Sequence, residues 1–291
     1  MKIGFSGHET FVCRTFWLKK GYDYVTAGRS FTQEDAVVRL GVGKNMVTSI
    51  SFWMRGFHIL DREQQQITQL GNFLFEERDP FLEDIGSLWL LHYSAIKNEK
   101  LFIFNSFFNE FSKERSEFTK EHLISFMKRK TEAEEMRLFS DKTYDSDANV
   151  LLRTYLRSND GKVDLEDETA NLLVELNLLS DFYKENTEGR LVQWYRIGRQ
   201  ARYNLPGAIL LFSILDRFGE ESQSLSFGDL LEAPNSPGVI FRLSEKGLEE
   251  QIKELVDQYD GELIFSETAG NQVLQIKNRL DKWQILEEYY A

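Results

Sequence analysis

Between Phe31 and Phe75 the apolar positions fall into a helix, turn, helix, strand rhythm. Thr32 precedes Gln33-Glu34-Asp35, so a threonine cap with acidic residues in the first turn predicts a helix reaching Leu40, and Gly41 predicts its end. After Val42 and Gly43, Met46, Ile50, Trp53 and Phe57 are spaced four, three and four apart. This spacing predicts a second helix, about 45–57, with those side chains on the face that packs inward. Its opposite side carries Lys44, Thr48, Ser51 and Arg55, with Asn45 beside them, the polar and cationic row expected of a helix that meets phosphates or base edges. Residues 66–75 alternate in character around Gly71 and predict a strand or wing. Together these elements read as a winged helix-turn-helix. Helix pairs of this kind also serve purely as packing or dimerisation modules, and the exposed row is what decides between the two.

The same order recurs as a pattern without a shared residue motif. Val150–Leu156 reads as a helix, 169–179 as another, and a hairpin is predicted around Asn186 to Gly189. Further on, an apolar helix over Ile209–Phe218 follows Pro206, a short one covers Phe227–Leu231, and an amphipathic helix spans about 244–259. Two strands are then predicted around Ala269-Gly270-Asn271. The fold class expected is mainly α (α+β), with a winged helix-turn-helix domain over 1–130 and a C-terminal helical domain with winged-helix-like units over 131–291. The boundary is drawn in the polar stretch from Lys128 to Asp147, because four prolines and no Gly/Ser-rich run leave no obvious linker.

Charge narrows the role. A net charge of −12 argues against a chain that coats nucleic acid through overall positive potential, so any contact with DNA must come from a local patch. Cys13, the single cysteine, excludes an internal disulfide and a cysteine-rich zinc site. The absence of a signal-like apolar run at the start, and of any stretch long enough to span a bilayer, predicts a soluble, cytoplasmic protein without a membrane partner.

Three groups of side chains could carry chemistry. His8 and Glu9 could exchange protons near neutral pH while Arg14 holds a phosphate, or His8-Glu9 could be a hydrogen-bonded pair that pins the N-terminal arm. Arg190, Trp194, Tyr195, Arg196, Arg199, Arg202 and Tyr203 form a basic, aromatic stretch without an acid from Leu191 to Leu215, either a phosphate patch or arginines snorkelling over a core. Asp79 with Glu83 and Asp84, or Glu166 with Glu168, could ligate magnesium, although acidic surface turns have the same composition. A phosphate-binding Gly-x-x-x-x-Gly-Lys-Ser/Thr loop and a His-Glu-x-x-His motif are both missing from the sequence, which excludes a P-loop ATPase motor and a zinc protease.

The opening Phe5-Ser-Gly-His-Glu-Thr-Phe11, with Arg14, Trp17 and Lys19-Lys20-Gly21, resembles the start of the bacterial domain-of-unknown-function family 4007. The likeness continues through Leu40-Gly-Val-Gly-Lys-Asn45, Leu70-Gly71, Asp79-Pro80, Glu83-Asp84, Leu88-Trp-Leu-Leu-His-Tyr93, the segment 142–155 and Glu267-Thr-Ala-Gly270, and so covers the whole chain. The resemblance implies a component of a bacterial DNA phosphorothioation and defence system. In such systems a cysteine desulfurase and an ATP pyrophosphatase-type sulfur transferase replace a non-bridging phosphate oxygen with sulfur, and the member in the Ssp-type system is associated with nicking DNA. It therefore implies a double-stranded DNA partner, those two enzymes as further partners, and a metal-dependent nickase or a subunit that only positions DNA. A nicking reaction would draw on magnesium or manganese, with ligands the sequence does not identify; no other cofactor is indicated. On this reading Lys44, Asn45, Thr48, Ser51, Arg55, Arg196, Arg199 and Arg202 contact DNA, and His8, Glu9 and Arg14 stand near the scissile phosphate. The alternatives are a non-enzymatic DNA-binding regulator or scaffold of a defence locus, and a module for protein assembly alone.

Overall fold

The computed structural model describes residues 5–136, 138–157, 171–220 and 223–291. These form two compact units, 1–197 and 198–291, and the architecture is α+β, with helices and two small antiparallel sheets. The boundary expected near residue 130 falls inside the first unit. The segment after it is held there by the Thr131 hydroxyl, 2.8 Å from the Tyr144 hydroxyl in the core, and by a strand that pairs with an upstream one.

In the first unit, α1 (Thr15–Thr26), α2 (Ala36–Leu40) and α3 (Lys44–Gly56) come first. Gly41 ends α2 with φ +65°, the left-handed conformation that glycine adopts without steric cost. The start of α2 departs from expectation: Thr32 lies in turns before the helix, and Asp35 takes the cap position, with its carboxylate 3.3 Å from Arg39 and 3.6 Å from Arg29. Tyr24, Ala36, Leu40 and Val47 bury the seam between these helices, with Phe31 and Val42 packed against it.

Residues 66–75, expected as a strand, are helical instead. The Thr68 hydroxyl accepts the Gly71 N–H at 3.2 Å and starts α4 (Gln69–Asn72), which runs on with π-type bonding over Phe73–Arg78. Leu70 and Leu74, four apart, are both buried, so the segment satisfies helical as well as alternating spacing. The extended part of the wing reduces to one bridge between Leu60 and Ile67.

α5 (Ile85–Lys97) runs through the middle of the unit, with ten of its residues buried on all sides. Around it sit α6 (Phe102–Ser106), which continues in π-type form over Phe107–Phe111, α7 (Ser112–Glu114), β1 (Glu117–Phe118), α8 (Lys120–Ala133) and α9 (Asp141–Tyr155). Trp53, Phe57, Trp89, Phe104, Phe107, Phe108 and Tyr155 make this core aromatic. The helix expected over 169–179 is a single 3-10 turn, Val174–Leu176, closed by Asn177 at φ +50°; residues 169 and 170 lie outside the described residues. The hairpin expected after it is present as β2 (Ser180–Glu185) and β3 (Leu191–Arg196), turned by Asn186, whose side-chain oxygen accepts the N–H of Glu188 and Arg190. β3 also pairs with β1, giving the order β1-β3-β2.

The second unit runs α10 (Gly207–Phe218), β4 (Gln223–Ser226), α11 (Phe227–Glu232), α12 (Pro237–Ile240), α13 (Glu245–Gln258), β5 (Leu263–Thr268), β6 (Asn271–Ile276) and α14 (Lys282–Tyr289). Its strands lie in the order β4-β6-β5. Ala269 and Gly270, both at positive φ, turn the β5-β6 hairpin where the sequence places it. Ser244 caps α13 by accepting the Gly247 N–H at 3.1 Å. No helix among the described residues is long and apolar enough to cross a membrane.

Candidate nucleic-acid interface

The inward face of α3 is as its spacing requires: Ile50, Trp53 and Phe57 are fully buried and Met46 is half-buried. The outward row survives only over the first turns. Lys44, Asn45 and Thr48 are exposed, Arg55 is half-buried, and Ser51 retains 5% of its surface. Ser51 is lost as a contact residue because the second half of α3 is enclosed except at Arg55. Gly21 of α1 approaches so closely that a Cβ there would lie 2.8 Å from Met54 Sδ, and a Cβ on Gly7 would lie 2.5 Å from the Phe52 ring. At the C-terminal end, the Asn98 amide donates to the carbonyls of Arg55 and Gly56 at 3.1 and 3.0 Å, satisfying groups that the helix leaves open.

The Gly-His-Glu-Thr block proves to be the buttress behind α3. Ser6, Glu9 and Thr10 have φ of 60°, 49° and 69°, a tight loop that turns His8 into the core. His8 is 1% exposed; its Nδ1 accepts the Thr10 N–H at 3.1 Å, so the ring proton resides on Nε2. That nitrogen lies 3.1 Å from Oδ1 of the fully buried Asp147, a close electrostatic contact rather than a well-aligned hydrogen bond. Both Asp147 oxygens also accept the Ser6 N–H, at 3.2 and 3.3 Å. The His8 ring meets Phe52 edge-on at 5.6 Å, and Trp53 Nε1 donates to the Phe11 carbonyl at 3.1 Å, which ties the arm to α3 at two successive residues. The His8–Glu9 pair weighed from the sequence is not formed; His8 faces Asp147 of α9 instead, and the arm is held there. Glu9 and Arg14 are half-exposed, and Arg14 stands 5.6 Å over the Trp17 ring.

Asp147 is absent from the sequence-based candidates, though a signal for it exists. It falls on the face of α9 marked by Tyr144, Ala148, Leu151 and Tyr155, and a carboxylate on an apolar face needs a buried partner.

The basic stretch near residues 190–203 is largely committed to contacts within each unit. Arg196 donates from Nε and Nη2 to Glu117 Oε1 at 3.0 and 2.8 Å and lies 4.9 Å over Phe182. Hydrogen bonds from Lys184 and Arg196 hold the Glu117 carboxyl below its usual range. Arg199, in the second unit, donates to Glu232 at 2.7 Å and to the Leu243 carbonyl at 3.3 Å. Arg202 is 5% exposed and binds Gln200 and the Gly198 carbonyl, and burial pushes its guanidinium down to about 10, still charged at neutral pH.

The acidic candidates form no metal centre among the described residues. Asp79 spends its two oxygens on the N–H groups of Glu83 and Asp84 at 2.9 and 3.0 Å, and Asp84 caps α5 by accepting the Gly86 N–H. Glu166 and Glu168 lie outside the described residues. Burial pushes the Cys13 thiol well up, so the lone cysteine is a poor nucleophile.

Comparison with solved structures finds two that match along nearly the full chain. One described as "Magnesium ion-bound SspB crystal structure" is 25% identical with a TM-score of 0.82, over 99% of this chain and 88% of that one. Another, "SspB crystal structure", is 26% identical at the same TM-score and coverage. A comparison with curated proteins finds no match. The family model described as "Protein of unknown function (DUF4007)" matches residues 5–290, and the chain belongs to that family.

Proposed function

We propose that this protein is a DNA-binding component of a DNA phosphorothioation system, and that it meets double-stranded DNA through the α2–α3 pair. The observation that carries this reading is the exposed start of α3, where Lys44, Asn45 and Thr48 project beyond the Gly41 turn while the buttress behind fixes the helix. In winged-helix terms α3 is the recognition helix and the loop closed by the Leu60–Ile67 bridge is a minimal wing. Family membership and the likeness to the SspB structures support the assignment to the pathway, with a cysteine desulfurase and an ATP pyrophosphatase-type sulfur transferase as the partners it implies.

The second unit has winged-helix order as well, helix, strand, helices, then a hairpin. Exposed along its α13 are Glu245, Glu254 and Asp257 against Lys246 and Lys253, a balance that disfavours phosphate, so DNA contact is assigned to the first unit.

Anisotropy of a labelled duplex measured across sodium chloride concentrations tests this reading. Lys44→Ala with Thr48→Ala is expected to weaken binding about tenfold at moderate salt and to flatten the salt dependence by ~0.9 in log–log slope, the release associated with one phosphate contact. Unchanged affinity and slope would remove α3 from the interface.

Nicking is the second reading, favoured by the neighbour whose description includes a bound magnesium ion. In it Glu9 and Arg14 are the accessible groups of the arm, and His8 serves by holding the arm in place. The described residues do not offer a fitting set of metal ligands, and no step through a metal is assigned to them. Purified protein with supercoiled plasmid and magnesium or manganese is expected to produce the open-circular form. Retardation of the plasmid on a gel without relaxation would leave binding and eliminate nicking.

A further inference from the structure

We infer that Arg55 and Arg62 form a guanidinium clamp for a DNA phosphodiester at the loop behind α3, separate from the Lys44–Thr48 end of the helix. The inference rests on the DNA-binding reading above and extends it to Arg62, which the spacing on α3 does not reveal. Arg55 stands in the last turn of α3 and donates from Nη2 to Gln65 Oε1 at 2.9 Å. The Gln65 amide in turn donates to the Arg62 backbone carbonyl, and Gln65 holds φ +54°, so one side chain links the Arg55 guanidinium to the loop that carries Arg62. Both arginines are half-buried, and the Nε of Arg62 is enclosed without a hydrogen-bond partner.

Neither guanidinium makes an ion pair with a carboxylate among the described residues. Elsewhere in this acidic chain Arg39 and Arg29 share Asp35, Arg129 takes Glu114, Arg196 takes Glu117 and Arg199 takes Glu232. The adjoining acid, Asp61, is already engaged, accepting the N–H groups of Glu63 and Gln64 at 2.8 and 2.6 Å. His58 and Lys100 also act on it, and both draw its carboxyl further below the usual range; Glu63 is the other acid on the loop and points to solvent. Burial and the charge of Arg62 hold Arg55 below its ordinary value, and burial does the same for Arg62. Like charges that are each half-desolvated and act on one another are costly until an anion joins them. A phosphodiester, with one negative charge and several oxygens, suits two planar donor forks.

Inorganic phosphate offers the same chemistry, so the test has two arms. Arg62→Gln, Arg55→Gln and the double variant are titrated with a 20-base-pair duplex, a length chosen on the order of two helical turns, over a range of sodium chloride concentrations, and separately with inorganic phosphate by calorimetry. The double variant is expected to flatten the salt slope by ~1.8, about 0.9 for each contact, with Arg62→Gln alone giving about half. Arg62→Lys, which keeps the charge and loses the fork, is expected to retain the slope but bind more weakly. An unchanged slope in the double variant, while Lys44→Ala/Thr48→Ala still weakens binding, would overturn the clamp and leave the DNA reading standing. Absence of salt-dependent duplex binding by the wild type would overturn both. Phosphate binding that the double variant loses without any change in duplex binding would identify a free-anion site and overturn the clamp on DNA. Should Arg55→Gln perturb α3, Arg62→Gln alone decides the matter, because its side chain lies on a turn.

Discussion

Asp147→Ala is expected to cost about 1–3 kcal/mol of unfolding free energy, the scale for taking the partner away from a buried polar group. The carboxylate accepts the Ser6 N–H with both oxygens and faces His8 Nε2 at 3.1 Å, with neither residue more than 1% exposed. Alanine would take the acceptor from the Ser6 N–H and leave the buried His8 ring facing a cavity in place of the carboxylate. For a unit of this size the melting temperature should fall by roughly 5 °C. The N-terminal arm should also become a protease site, because its anchor is gone. Asp147→Asn, which keeps one acceptor oxygen, should lose less. Urea unfolding with limited proteolysis of the arm would check this, and a cost under about 0.5 kcal/mol, the level of a neutral surface change, would mean that the arm is not pinned through Asp147. Since the arm touches α3 through Phe52 and Trp53, duplex affinity should fall together with the protection of the arm.

Gly71→Ala is expected to destabilise by about 2–3 kcal/mol, at the upper end of overpacking costs. On helix propensity alone the change would stabilise α4 by roughly 1 kcal/mol, so the sign of the result is diagnostic. A Cβ at this position would lie 2.7 Å from the Ile59 carbonyl oxygen and 2.7 Å from Ile67 Cγ2. Neither can easily retreat. Ile59 is fully buried and its carbonyl accepts the Thr68 N–H at 3.0 Å, the bond that closes the loop carrying Arg62. Stabilisation in a denaturant melt would show that α4 and the loop slide apart freely. Destabilisation accompanied by a flatter salt slope in duplex binding would tie the rigidity of the loop to the Arg55–Arg62 clamp.

Much of the candidate interface was legible from neighbours a few residues apart. The Ile50, Trp53 and Phe57 spacing, Gly41 as a helix end, the Asn186 turn, Ser244 before α13 and the turn at Ala269-Gly270 are all local signals, and each element stands where they indicate. Residues 66–75 misled because leucines at 70 and 74 and the alternating positions around them suit both periods, and the Thr68 cap decided for helix. The helix expected over 169–179 rested on a run of leucines that a buried connector supplies equally well.

What the sequence determined by itself was most of the helices, turns and apolar faces, together with the constraint that any contact of so acidic a chain with DNA would come from a local patch. Backbone propensity and side-chain period act within a few residues, so one chain segment carries them in full. The tertiary structure alone decided which polar groups those faces would spend on one another. It drew His8 to Asp147 rather than to its neighbour Glu9, bound Arg196 to Glu117, and enclosed Ser51 although it shares a helix face with Lys44 and Thr48. It also linked Arg55 at the end of α3 through Gln65 to the loop carrying Arg62, neither of them ion-paired with a carboxylate among the described residues. The reason is desolvation: whether a charged or polar side chain is available to a ligand depends on what covers and pairs with it, and those partners arrive from positions as far as 141 residues along the chain.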